Sequence, residues 1–268
     1  VEANLKRRIL TALVIVPLLI FVVGWGRPSI FTAVILAVTS LALYEYFHMA
    51  LPAHPGEQKL GVLFGFVLAV LLVLPDIVHP GHWISLLLVL IFSVYVFVSG
   101  KLYDRVIRLG WLLLGGFYIG FLMPNWVFLF RLPSGRSWVF FAFGVVVTGD
   151  TVAYFAGKRF GVKKLAPDIS PGKTRAGAWG YILGGLTVGA LAARFVFFDY
   201  PFFEIVGLAL LLAVLGQIGD LFESLLKRVF DVKDSSSLVP GHGGVLDRLD
   251  SLIFPAVLVN AYLKVFHL

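Results

Sequence analysis

The sequence predicts an all-α polytopic membrane protein with about nine transmembrane helices. Three observations carry this prediction. Of 268 residues, 59% are apolar and only 14% charged, against about 25% charged in soluble domains, and the mean hydropathy is +0.95. Nine segments are each long and apolar enough to cross a hydrocarbon core of about 30 Å. The lysines and arginines between these segments fall mainly on alternate loops. The chain has no cysteine, which removes disulfides, thiolate metal sites and cysteine nucleophiles together. A net charge of +7 with no soluble basic surface to carry it excludes a nucleic-acid partner.

The spans are expected near 9–25, 29–48, 60–78, 82–99, 106–130, 137–157, 176–198, 202–226 and 244–266. Lys6-Arg7-Arg8 ahead of the first apolar run has the form of a signal peptide. Gly24-Trp25-Gly26-Arg27-Pro28 is a poor small-residue cleavage site, so a retained span is expected. In the second span Glu45 and His48 form a lone polar pair, read as interfacial anchoring. Pro52, Pro55 and Gly56 mark the loop that follows. The fifth span carries Gly115, Gly116 and Gly120, which permit close helix packing, and Pro124-Asn125 predicts a local break in it. With the N-terminus inside, sixteen Lys and Arg residues lie on the cytoplasmic side and five outside, with Arg248 set aside in the last span. That asymmetry predicts a cytoplasmic N-terminus, an external C-terminus, and cytoplasmic loops at 158–175 and 227–243. By composition the chain divides into N-terminal helices (1–105), middle helices with the basic loop (106–175) and C-terminal helices carrying the chemistry (176–268).

Polar residues at membrane depth are costly and so mark function. Asp150 lies in Thr148-Gly149-Asp150-Thr151 inside an apolar span, with Tyr154 one turn beyond. After it, Ser170-Pro171-Gly172-Lys173-Thr174 offers glycine, hydroxyl and ammonium donors suited to a triphosphate, although the spacing is not that of a phosphate loop. The densest cluster is Ser224 to Asp250, SLLKRVFDVKDSSSLVPGHGGVLDRLD. Asp220, Glu223, Ser224 and Lys227 share one helical face, and Asp247, Asp250 and Ser251 share another. Pro240-Gly241-His242-Gly243-Gly244 must turn between them, giving a helical hairpin with carboxylates on both arms and cations at the bend.

Each piece also has a plain structural reading: an i,i+4 ion pair for Glu223 and Lys227, a helix-start carboxylate for Asp247, a turn residue for His242. Taken jointly these do not account for aspartates at 220, 247 and 250. Carboxylates are ligands for a hard cation such as Mg²⁺, whereas one histidine without thiolates is too little for zinc. Carboxylates with lysines and arginine at a cytosolic surface point to phosphoryl or nucleotidyl transfer on a lipid.

Ser224-x-Leu226-Lys227-Arg228-x4-Lys233-Asp234-x-Ser236-x3-Pro240-x-His242-Gly243-Gly244-x2-Asp247-Arg248-x-Asp250 closely resembles the signature of the phosphatidate cytidylyltransferases, or CDP-diacylglycerol synthases. Val239 is a conservative departure from that pattern. A second resemblance runs from Gly149-Asp150 to Tyr154 and then Ser170-Pro171-x-Lys173-Thr174-x2-Gly177, where Arg175-Ala176 replaces the family's aromatic-acid pair. The resemblance implies transfer of a cytidylyl group from CTP to phosphatidic acid with release of pyrophosphate, in a homodimer within the cell membrane. It also implies Mg²⁺, with room for a monovalent cation such as K⁺. On this reading Asp220, Asp247 and Asp250 hold metal, and Lys227, Asp247, Arg248 and Asp250 form the catalytic set. Asp150, Ser170, Lys173, Thr174, Ser224, Arg228, Lys233, Asp234 and His242 bind substrate. The competing classes are an ion-coupled transporter, opposed by the one-sided clustering, and a CTP-using lipid kinase. A CDP-alcohol phosphotransferase would need a D-G-x2-A-R run, which is absent.

Overall fold

The computed structural model describes residues 2–74, 79–239, 241 and 243–267, with residues 2–12 and Ile15 described as backbone alone. Ten α-helices and one small hairpin are present among these residues: α1 Glu2–Trp25, α2 Pro28–Ala50, α3 Pro55–Val73, α4 Pro80–Phe97, α5 Leu102–Gly115, α6 Asn125–Arg131, α7 Gly135–Phe160, β1 Lys164–Ala166, β2 Ser170–Thr174, α8 Arg175–Phe195, α9 Phe202–Val229 and α10 Leu246–Phe266. Eight segments among the described residues are long and apolar enough to cross a membrane, α5 and α6 counting as one, and Val16–Trp25 adds a shorter apolar stretch. The protein is thus an all-α polytopic membrane protein. Prolines open α2, α3 and α4, where a missing N–H costs nothing. The hairpin is a departure from the expected loop. Lys164 pairs with Thr174 and Ala166 with Ser170 in antiparallel register.

Contacts group the chain into two units. The first holds most of α1, then α2 to α5, the start of α6, and residues 234–246. Its core is Leu43, Tyr46, Phe47, Phe64 and Leu68, all buried. Gly61 of α3 lies against the Phe47 ring, and Gly116 packs on Phe64. The expected break in the fifth span is present: α5 runs into a π-helical turn, Gly116–Phe121, and helix resumes at Asn125. A Cβ at Gly120 would strike the Gly65 carbonyl, so this irregular turn sits directly on α3.

The second unit holds residues 129–233 and 247–268, and so α7, the hairpin, α8, α9 and nearly all of α10. Here α8 is the central element, and its glycines set how close its neighbours come. Along one face, a Cβ at Gly177 would lie 3.2 Å from the Ala153 carbonyl, at Gly180 2.7 Å from Ala156 Cβ, and at Gly184 2.9 Å from the Thr148 carbonyl, all on α7. On the other face, Gly185 and Gly189 meet Ala213 and Ala209 of α9. Small residues at this spacing let apolar helices approach backbone to backbone, which is how helices pack tightly without a hydrophobic driving force.

Candidate active site

The close approach of α7, α8 and α9 leaves a cavity of about 560 Å³ at the hairpin end of the second unit. One face of α7 lines it with Asp150, Ala153, Tyr154, Gly157 and Lys158, at helical spacing. From the hairpin come Lys164 and Lys173, from α8 Gly177 and Tyr181, and from α9 Gln217 and Asp220. The wall is therefore mixed, with three ammonium groups and two carboxylates around one concave space. Lys173 Nζ lies 2.6 Å from Asp220 Oδ2, both partly exposed into the cavity. Asp150 is within electrostatic reach of Asp220, Lys173 and Arg248.

Three expected residues take parts in holding this wall together. Thr174 accepts a hydrogen bond from the Gly177 amide at 3.1 Å, capping α8 at its start. Arg228, near the end of α9, donates Nε to the Ile169 carbonyl in the hairpin turn at 3.2 Å. Ser224 is buried, one turn from Asp220, at 3.5 Å from its Oδ1. Ser170 opens β2 and is half-buried.

A second polar cluster joins α9 to α10. Lys227 Nζ lies 2.5 Å from Glu223 Oε2 and 2.6 Å from Asp247 Oδ1, with Glu223 wholly buried and Asp247 nearly so. The predicted face Asp220-Glu223-Ser224-Lys227 therefore does meet Asp247 across the helical hairpin. Asp250, also buried, sits where Gly219 of α9 touches its carbonyl, and it is electrostatically coupled to Asp220 and Glu223. Among the described residues, no three Asp, Glu or His side chains converge closely enough to enclose a metal ion. Asp220 is paired with Lys173, and Asp247 shares Lys227 with Glu223. Lys233, Asp234 and Arg248 are exposed. His242 lies outside the described residues.

Two functional candidates were missed from sequence. Tyr181 is buried, and its hydroxyl has no hydrogen-bond partner among the described residues. It interacts electrostatically with Asp150, Asp220 and Asp250. An orphaned buried hydroxyl is costly, of order 1–3 kcal/mol, and it lines the cavity. The signal was present: Tyr181 lies one turn beyond Gly177, the glycine of the second quoted run. The other is Glu45 of α2, in the first unit, where interfacial anchoring was expected. The structure corrects this. Glu45 is wholly buried and accepts four hydrogen bonds, from Ser235 Oγ, Ser236 Oγ and the amides of Val245 and Leu246.

Comparison with known proteins finds one family along nearly the whole chain. The cytidylyltransferase family model matches residues 6–266. The phosphatidate cytidylyltransferase of Bacillus subtilis is 34% identical over 264 residues, covering 94% of each chain. That of Brucella abortus is 35% identical over 98% of this chain and 95% of its own, and that of Staphylococcus aureus 33% identical over 97% and 99%. A chain matched nearly end to end by the family model, and at 33–35% identity by such relatives, belongs to the cytidylyltransferase family.

Proposed function

We propose that this protein transfers the cytidylyl group of CTP to phosphatidic acid, giving CDP-diacylglycerol and pyrophosphate for phospholipid synthesis. The observation that carries the reading is the cavity between α7, α8 and α9. At about 560 Å³ it falls within the usual range of small-ligand sites, about 300–1,000 Å³. Its lysines suit a polyphosphate, and the carboxylates interspersed with them suit a cation that accompanies one.

A phosphate oxygen of phosphatidate attacks the α-phosphorus of CTP. The bond from that phosphorus to the bridging oxygen breaks, and pyrophosphate leaves. The nucleophile is already an anion, so the protein needs no strong base; alignment and charge neutralisation do the work. Lys173, with Lys158 and Lys164, holds the triphosphate in the cavity. Lys227 and Arg248 hold phosphate oxygens beside it, and Tyr181 supplies a hydroxyl donor from the cavity wall.

The donor set also fits Mg²⁺. It is made of oxygens alone, as a hard cation requires, and the mutual repulsion of Asp220, Asp150 and Asp250 calls for positive charge. Asp220, with Asp247 and Asp250, would supply carboxylate ligands and the substrate phosphates the rest, since among the described residues no three carboxylates converge on one point; K⁺ would serve as a second cation. Such an ion supplies neutralisation of phosphate charge as the leaving group departs.

The protein is oriented with its N-terminus, the hairpin and residues 227–243 toward the cytoplasm, on the sixteen-to-five charge asymmetry. It works in the cell membrane as a homodimer, a reading drawn from family resemblance. The test is to incubate purified protein with labelled CTP, Mg²⁺ and phosphatidate. Labelled CDP-diacylglycerol is expected, formed only when phosphatidate is present. Release of nucleotide without a labelled lipid, or a lipid phosphorylated by the γ-phosphate, overturns the proposal.

A further inference from the structure

The segment from Asp234 to Leu246 has almost no regular structure, yet it leads directly into the helix that bears Asp247, Arg248 and Asp250. A helix start leaves amide groups without partners, and the residues before it normally supply a side-chain oxygen. Here those residues are Gly243, Gly244 and Val245, which have none to give. The acceptor comes instead from 200 residues earlier in the chain. Glu45 Oε1 accepts from the Val245 amide at 2.9 Å and Oε2 from the Leu246 amide at 2.7 Å.

The same two oxygens bind the other end of the segment. Ser236 Oγ donates to Oε1 at 2.6 Å and Ser235 Oγ to Oε2 at 3.0 Å. Each oxygen thus joins one hydroxyl from the entry of the loop to one amide from its exit. Between them Val239 N bonds the Gly243 carbonyl at 2.8 Å, and Gly241 and Gly243 take positive φ of 77° and 84°. Gly244 is required for a different reason: a Cβ there would lie 2.6 Å from Glu45 Oε2 and collide with Ser235 Oγ. The loop closes because Gly244 leaves room for the carboxylate.

We infer that Glu45 is a positioning residue for cytidylyl transfer: it clamps both ends of the signature loop and so fixes where α10 begins and how its first turn presents Asp247, Arg248 and Asp250. The inference rests on the proposed function for its kinetic consequence, but not for its structural one. Glu45 touches no reacting group. A carboxylate at a helix start is also favoured by the helix dipole. The count of donors shows that the hydrogen bonds also require a carboxylate. Four donors need two acceptor oxygens, and a glutamine offers one oxygen and one N–H₂. Whichever way the amide is turned, one backbone N–H faces another donor.

The test uses the full-length protein in lipid nanodiscs. In Glu45→Gln, hydrogen exchange at the Val245 and Leu246 amides is expected to speed up while α7 and α8 stay protected. The kcat is expected to fall about tenfold or more, the weight of one charge-assisted hydrogen bond, with KM for CTP unchanged. Glu45→Asp, which keeps the charge on a shorter arm, is expected to lie between the two. If Glu45→Gln does not fold, Ser235→Ala with Ser236→Ala removes the loop-entry donors and leaves the carboxylate in place. It too should lower kcat without raising KM for CTP. Unchanged exchange at Val245 and Leu246, or an unchanged kcat, overturns the inference. So does a loss of protection across the whole chain in both variants, which marks a general structural role. If the parent enzyme makes no CDP-diacylglycerol, the proposed function has failed, and the exchange measurement still decides whether Glu45 holds the loop.

Discussion

The Lys227 cluster supports a prediction with a calculable size. One ammonium bridges two carboxylates, Glu223 with no exposure and Asp247 with 7%, and is itself 13% exposed. Lys227→Met keeps the length of the side chain and removes its charge. Two buried carboxylates are then left facing each other without a cation. Breaking a buried pair by deleting one partner costs about 3–5 kcal/mol. For a chain of this size about 1 kcal/mol moves the unfolding midpoint by about 2–4 °C, so the midpoint should fall by about 6–20 °C. Glu223→Gln added to Lys227→Met removes one of the stranded charges, and most of the lost stability should return. Turnover should not, because Lys227 is assigned to substrate phosphate. Thermal unfolding followed by tryptophan fluorescence, alongside the labelled-lipid assay, separates the two effects. A Lys227→Met midpoint equal to that of the parent would show that water, not Lys227, satisfies these carboxylates. Recovery of turnover along with stability in the double variant would remove Lys227 from the chemistry.

Asp220→Asn should abolish turnover with little loss of stability, because its lysine pair is 26% and 29% exposed and such pairs are worth about 0.2–1 kcal/mol. Normal Mg²⁺-dependent activity in this variant would exclude Asp220 as a ligand. Tyr181→Phe deletes a buried hydroxyl that has no partner among the described residues, so the unfolding midpoint should hold or rise while kcat falls. Unchanged kcat would mean that the hydroxyl meets no ligand. Single cysteines placed at Lys163 or Lys233, in a chain with none of its own, should react with an impermeant reagent only after cells are opened. Labelling of intact cells would reverse the orientation.

What was legible in the sequence had a local periodic signal. Helical spans are written in hydropathy, and the break at Pro124-Asn125 is written in a proline. The face Asp220-Glu223-Ser224-Lys227 follows from 3.6-residue spacing, and its meeting with Asp247 follows from a forced turn at Pro240-Gly241. The hairpin was hidden because β2 is Ser-Pro-Gly-Lys-Thr, with no alternation and two residues that strands avoid. What holds it is tertiary: Arg228 reaches its turn from the end of α9. Glu45 was misread for a related reason. Its four partners lie 190 to 201 residues away, and a single glutamate in an apolar span gives no sign of them. Thr174, expected to bind substrate, lines the cavity, and its hydroxyl accepts from the Gly177 amide, a cap that a five-residue polar run does not announce.

These contacts divide the polar residues of the chain into two kinds. Glu45, Thr174 and Arg228 bond to backbone groups, and no substrate could replace those bonds without unravelling a loop, a helix start or a hairpin. Lys173 and Lys227 instead bond to carboxylates, and each such bond can be exchanged. On the proposed function, an arriving polyphosphate would offer the lysines other anionic partners, and an accompanying cation would offer the carboxylates a replacement for the ammonium they give up. Before substrates bind, Lys173 and Lys227 each stand against carboxylates rather than alone. The residues that must yield to ligand are thus held by ion pairs, while those that define its position are held by the backbone. That separation lets a membrane-embedded cavity keep several carboxylates and ammonium groups together, in surroundings where each alone would be costly.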